Sequence, residues 1–143
     1  MTEDECVFCR IVQGKLPSWK IAENDAAIGI LDTNPSADGH CLIIPKRHVR
    51  YWYDLSDAEI CAVFNTAKAV AQKIKKEYAP DCVCIFTRGG RVKHTHVVLF
   101  PSNEGDKLGG FPQSVLGKAD VDFKKVQEKL KIEDVRLYSN QRL

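Results

Sequence analysis

Nowhere in the 143 residues do about eighteen apolar residues run together, so the chain offers no membrane-spanning helix. Charge of one dominant sign is missing too. The 21 basic and 19 acidic side chains leave a net charge of +2, too little to hold a polyanion or an anionic membrane by charge alone. Neither a nucleic-acid partner nor a membrane is therefore expected. The opening MTEDECVFCR is acidic and has no apolar run of the leader type, which points to a soluble protein of the cytoplasm or the nucleus. That compartment decides how the six cysteines are read. In a secreted chain of this size they would form a disulfide framework; in a reducing compartment they are thiols, buried or on a metal. With no internal repeat and no low-complexity tract, residues 1–143 are expected to form a single domain.

What is present is a regular alternation of strand and turn signals. Trp19–Glu23 and Ala26–Leu31 are runs of strand formers joined at Asn24-Asp25, and Asp32 to Pro35 breaks the pattern with turn formers. Cys41 to Ile44 is continuously apolar between Gly39 and Pro45, as a central strand covered on both faces requires. A basic loop, Pro45 to His48, follows, and Tyr51, Trp52 and Tyr53 are expected to pack it down. Ser56-Asp57-Ala58-Glu59 is a capping box, opening a helix that Pro80 bounds. Its apolar stripe is Ile60, Val63, Phe64, Ala67, Val70, Ala71, Ile74 and Tyr78, with the lysines on a solvated face. Cys82 to Phe86 is a further strand. VKHTHVVLFP, Val92 to Pro101, is the last, with His94, His96 and Val98 on one face and Thr95, Val97 and Leu99 on the other. Asp120 or Asp122 caps a short helix with Phe123, Val126 and Leu130 inward. The sum is an α+β fold: an antiparallel sheet of about five strands, a long helix on one face and a short C-terminal helix.

Three stretches carry chemistry. Two imidazoles on the exposed side of a strand, His94 and His96, are poorly explained by packing, because each neutral ring must satisfy a donor and an acceptor. Cys6 and Cys9, at C-x-x-C spacing, place two sulfurs on one side of a tight bend. That suits a tetrahedral metal, a redox pair or two buried thiols, and the absence of a preceding strand disfavours the redox pair. Thr87 to Arg91, with two glycines between arginines, can bring backbone N–H groups and guanidinium to an anion, or simply turn the chain.

Taken together, CVFCRIVQGKLPSWKIAEND, GILDTNPSADGHCLIIPKRH and VKHTHVVLFP resemble the histidine triad (HIT) superfamily in its Hint-like branch. The matching pieces run from Cys6 to about Gly110, so a HIT-like core over about 6–110 and a C-terminal extension over 111–143 are expected. The resemblance implies a homodimeric nucleotide-binding hydrolase or transferase that cleaves a nucleoside monophosphate from an amine, acyl or phosphate leaving group. Its substrate would be a purine nucleotide or nucleoside phosphoramidate. His96 matches the family nucleophile, which passes through a nucleotidyl-histidine intermediate. Asp32 matches the acid that holds the ribose hydroxyls, with a turn-capping aspartate as the rival reading. Phe8, Ile30 and Leu31 would leave the base pocket apolar. His40 would lie beside the site or be a satisfied core histidine, and Arg88 and Arg91 would meet phosphate or be ordinary surface cations.

The resemblance also implies a structural zinc on Cys6, Cys9, His48 and His94. In the rival arrangement His94 and His96 chelate one catalytic zinc between them. One departure from the family pattern stands out: its third histidine is Val98 here, so a catalytically weakened nucleotide-binding or partner-binding relative is the alternative expectation.

Overall fold

A computed structural model describes residues 2–87, 91–106 and 119–136. Five strands form one antiparallel sheet: β1 (Lys20–Glu23), β2 (Ala27–Leu31), β3 (Cys41–Pro45), β4 (Cys82–Thr87) and β5 (Val97–Ser102), in the order β1-β2-β3-β5-β4. Among the described residues the α-helices are α1 (Val7–Val12), α2 (Asp57–Tyr78) and α3 (Phe123–Leu130). The expected α+β architecture is the one observed. β3 is apolar throughout because it is central and covered on both faces, and all five of its residues are buried.

Alternation along β2 sends Ile28 and Ile30 to one face of the sheet and Ala27 and Leu31 to the other. The second face is covered by α2 and α3 through Val63, Ala67, Val70, Ile74, Val126 and Leu130. The first is covered by the N-terminal segment, with Cys6, Phe8 and Cys9 packed over Leu42, Ile44, Val98 and Phe100. The chemistry-bearing residues gather on that first face.

The capping box is formed in both directions: Ser56 Oγ accepts from Glu59 N and the Glu59 carboxylate accepts from Ser56 N. Ala79, in the left-handed region at φ 48°, ends α2 just before Pro80. Asp122 Oδ1 accepts from Lys125 N and caps α3. Between β1 and β2, Asn24 Oδ1 accepts from Ala26 N and Ala27 N, while its Nδ2 donates to Thr66 Oγ1 and the Ala62 carbonyl. One side chain thus closes the turn and ties it to α2.

Four local expectations are corrected. The C-x-x-C is not a bend: Cys6 is the N-cap of α1 and Cys9 lies within it, so one helical turn sets the sulfurs on one side. The histidine strand begins at Val97, not Val92. Phe64 is 43% exposed, because the buried stripe of α2 is filled by Thr66 and Ala69 on its other flank. Trp52 and Tyr53 are 48% and 65% exposed; Tyr51 stacks on Tyr53 and under Arg50, so the cluster packs on itself.

Candidate functional site

Cys6, Cys9, His48 and His94 converge, their ligand atoms all within 4.8 Å of one another. Three different elements supply them. α1 carries the cysteines, the loop after β3 carries His48, and the stretch leading into β5 carries His94. His94 Nδ1 is 3.4 Å from both sulfurs, and His48 Nδ1 is 3.1 Å from Cys9 Sγ. Those spacings are close to the edges of a zinc tetrahedron, about 3.3–3.8 Å for Zn–S near 2.3 Å and Zn–N near 2.0 Å.

The tautomer of His94 is set from outside the cluster. Its Nε2 is 2.8 Å from the Pro45 carbonyl oxygen, which can only accept, so Nε2 carries the proton and Nδ1 turns a lone pair to the sulfurs. Burial pushes the His94 pKa down to about 4, opposed by the Pro45 hydrogen bond. Burial, with Cys6 beside it, pushes the Cys9 thiol up to about 12. A neutral imidazole and a protonated thiol in so dry a place lack the positive charge that a divalent cation would bring, and the donor set fits zinc. Among the described residues this is the one cluster of three or more such donors close enough to hold a metal ion, and His96 is not in it.

Next to the cluster lies a cavity of about 640 Å³. Its walls are apolar, with Phe8, Ile30, Leu42, Phe86 and Val98, and its polar groups include Asp32, His40 and His96. His96 Nδ1 is 2.9 Å from the His94 carbonyl oxygen and donates to it, which leaves Nε2 with its lone pair. Its carbonyl in turn accepts from Thr87 Oγ1 at 2.8 Å, and its ring meets the Phe8 ring edge-on with centroids 5.1 Å apart. Backbone and ring are both held.

Asp32 is fixed from two sides. Its Oδ1 accepts from Asn34 N at 2.8 Å, and its Oδ2 lies 3.3 Å from His40 Nε2. His40 Nδ1 accepts from Ser36 N at 2.9 Å, so His40 is the Nε2–H tautomer and carries its proton on the nitrogen nearer Asp32. Burial lowers the His40 pKa although the Asp32 charge pulls it up, which favours the neutral ring. Gly39, at φ +92°, makes the bend that delivers His40 to this place. His40 is both buried and beside the cavity, so the two readings of it are not exclusive.

The remaining expected residues divide. Ile30 faces the cavity, whereas Leu31 borders it but sends its side chain into the core under α2. Arg91 is exposed at the cavity wall, and Arg88 lies outside the described residues. Val98, where the resemblance calls for a histidine, is 5% exposed within the apolar cluster and offers no hydrogen bond. Leu42 and Phe86 escaped the sequence reading. Strand alternation was the available signal, since each pairs directly with Val98 across β5 and so shares its face.

A closed Cys2His2 cluster beside a nucleotide-sized cavity, on one face of a five-stranded antiparallel sheet, defines a histidine triad type of protein. The HIT domain family model matches residues 13–105, and the chain belongs to that family. It is 35% identical over 126 residues to an uncharacterised HIT-like protein of Mycoplasma genitalium, covering 85% of this chain and 89% of that one. It is 33% identical over 135 residues to the adenosine 5'-monophosphoramidase of Saccharomyces cerevisiae, covering 80% and 83% of the two chains. Among solved structures, a zinc-bound histidine triad family protein from Mycobacterium smegmatis superposes with a TM-score of 0.76 at 26% identity, covering 96% of this chain and 95% of that one. Hydrolases acting on nucleotides are thus among the relatives, and no helix among the described residues is long and apolar enough to cross a membrane.

Proposed function

We propose that this chain is a nucleotide hydrolase or transferase that releases a nucleoside monophosphate, with a purine base favoured, from an amine, acyl or phosphate leaving group. The observation that carries the reading is the tether of His96 Nδ1 to the His94 carbonyl at the wall of a cavity that also presents Asp32. A lone pair fixed at Nε2 is what an imidazole nucleophile needs near neutral pH. In this reading the apolar walls take the base and Asp32 the ribose hydroxyls. Nε2 attacks the α-phosphorus, the bond to the leaving group breaks, and a departing amine takes its proton from solvent. Water then cleaves the nucleotidyl-histidine and restores His96. Arg88 and Arg91 would offset the phosphate charge.

Cys6, Cys9, His48 and His94 would hold zinc as a structural ion, since four protein donors leave no open position. The zinc would pin the N-terminal segment, and with it Phe8, over the cavity. The protein would act as a homodimer in the cytoplasm or nucleus.

Val98 favours a second reading, a nucleotide-binding relative with little turnover. An apolar side chain cannot donate to the phosphoryl oxygens, and losing one such donor commonly costs about 10²- to 10³-fold in rate. The two readings separate in one experiment: AMP release from adenosine phosphoramidate by the wild type and by His96→Ala, alongside AMP binding by each. Release by the wild type alone supports the hydrolase. Binding without release by either supports the weakened relative, and no binding at millimolar AMP sinks both.

A further inference from the structure

Cys82 and Cys84 stand apart from the cluster just described. They open β4, which among the described residues pairs with β5 alone and is the last strand of the sheet. Two residues apart on a strand, they share a face. Their sulfurs are 3.8 Å apart, with Cys82 exposed and Cys84 half-buried. Opposite them on β5 stand Ser102 and Phe100, so the pair is on the cavity face, one strand position from Phe86 on that row.

Two thiols held side by side on the outermost strand of the sheet have two chemical uses, a disulfide or a shared ion. Geometry separates them. Residues i and i+2 of an extended strand have Cα atoms about 6.6–6.8 Å apart, at the outer limit of what a disulfide spans. By contrast, two thiolates on one tetrahedral ion at about 2.3 Å each are about 3.8 Å apart, which is the separation already present. An ion needs no movement of the strand. A disulfide needs the strand to bend and the sulfurs to close on one another.

We propose that Cys82 and Cys84 form a two-thiolate site for a thiophilic ion of the cadmium, zinc or trivalent-arsenic class. Binding breaks two S–H bonds and makes two bonds from sulfur to the ion, releasing two protons with no change of oxidation state. With an organic arsenic(III) oxide the two protons leave with its oxygen as water. The site does not depend on the hydrolase reading.

The test uses the full chain loaded with zinc and freed of excess ion. Phenylarsine oxide, which closes stably only on two thiols, is added and the intact mass measured. The wild type gains an arsenical adduct that Cys82→Ser and Cys84→Ser each lose, while Cys61→Ser, lacking the exposed thiol of α2, keeps it. Unchanged zinc content in every variant shows that fold and cluster are intact. Cadmium added to the same samples raises thiolate-to-metal ultraviolet absorption in the wild type without releasing zinc, and in neither β4 variant. An adduct that survives either β4 substitution, or a wild type that takes up none, overturns the proposal.

Discussion

His94 and His96 are joined by a hydrogen bond that makes one residue serve two sites: the His94 carbonyl accepts from His96 Nδ1 at 2.9 Å, while the His94 ring closes the Cys2His2 cluster. The cluster and the cavity are therefore coupled through a single backbone. Whatever orders His94 also orients His96.

Metal loss is accordingly expected to disturb the fold first. Cys9→Ser removes a buried donor from the cluster and should lower stability by about 3 kcal/mol or more, the range of metal-site loss. Thermal melts with and without a chelator check this. The wild type should fall on chelation to near the variant, and the variant should not respond.

Acid should weaken the metal-free protein in a defined window. His94 titrates at about 4 in the fold, against about 6.5 in an unfolded chain. Between those values the unfolded chain binds a proton that the native chain refuses, so stability is full above about pH 6.5 and is lost as pH falls toward 4. That separation corresponds to about 3 kcal/mol. His40, also lowered by burial, adds in the same direction. Urea midpoints of chelator-treated protein across that window measure the slope, and a flat profile would contradict it.

Val98→His restores a donor beside His96 at the cavity wall. Turnover of adenosine phosphoramidate should rise about tenfold or more, within the 10²-fold scale of one phosphoryl contact. Steady-state kcat on the purified variant is the check. An unchanged kcat with AMP binding intact would place the limiting step elsewhere.

The sheet, both main helices and the cysteine half of the cluster were legible because each has a local signature: alternation, a capping box at Ser56 to Glu59, C-x-x-C spacing; His48 and His94 joined the set only through the family resemblance. The start of the last strand was not. His94 and His96 alternate as strand residues would, but the backbone there is used otherwise: Thr95 N donates to Val49 O and His94 O accepts from a side chain. Side-chain pattern is silent about where backbone groups find partners. The same limit hid the placing of His40 between Ser36, whose N–H it accepts, and the Asp32 carboxylate, which depends on a left-handed Gly39. Phe64 failed for a different reason. Periodicity marks the stripe of a helix, while which edge of that stripe is covered depends on the elements packed against it.

The most direct test of the central claim is to mix the protein with adenosine phosphoramidate, quench rapidly at alkaline pH to preserve a phosphohistidine, and map any adenylylated peptide by mass spectrometry. An adenylyl group on His96, absent from His96→Ala, is the predicted result. An adduct on another residue, or turnover with no adduct at any quench time and full activity in His96→Ala, would contradict it.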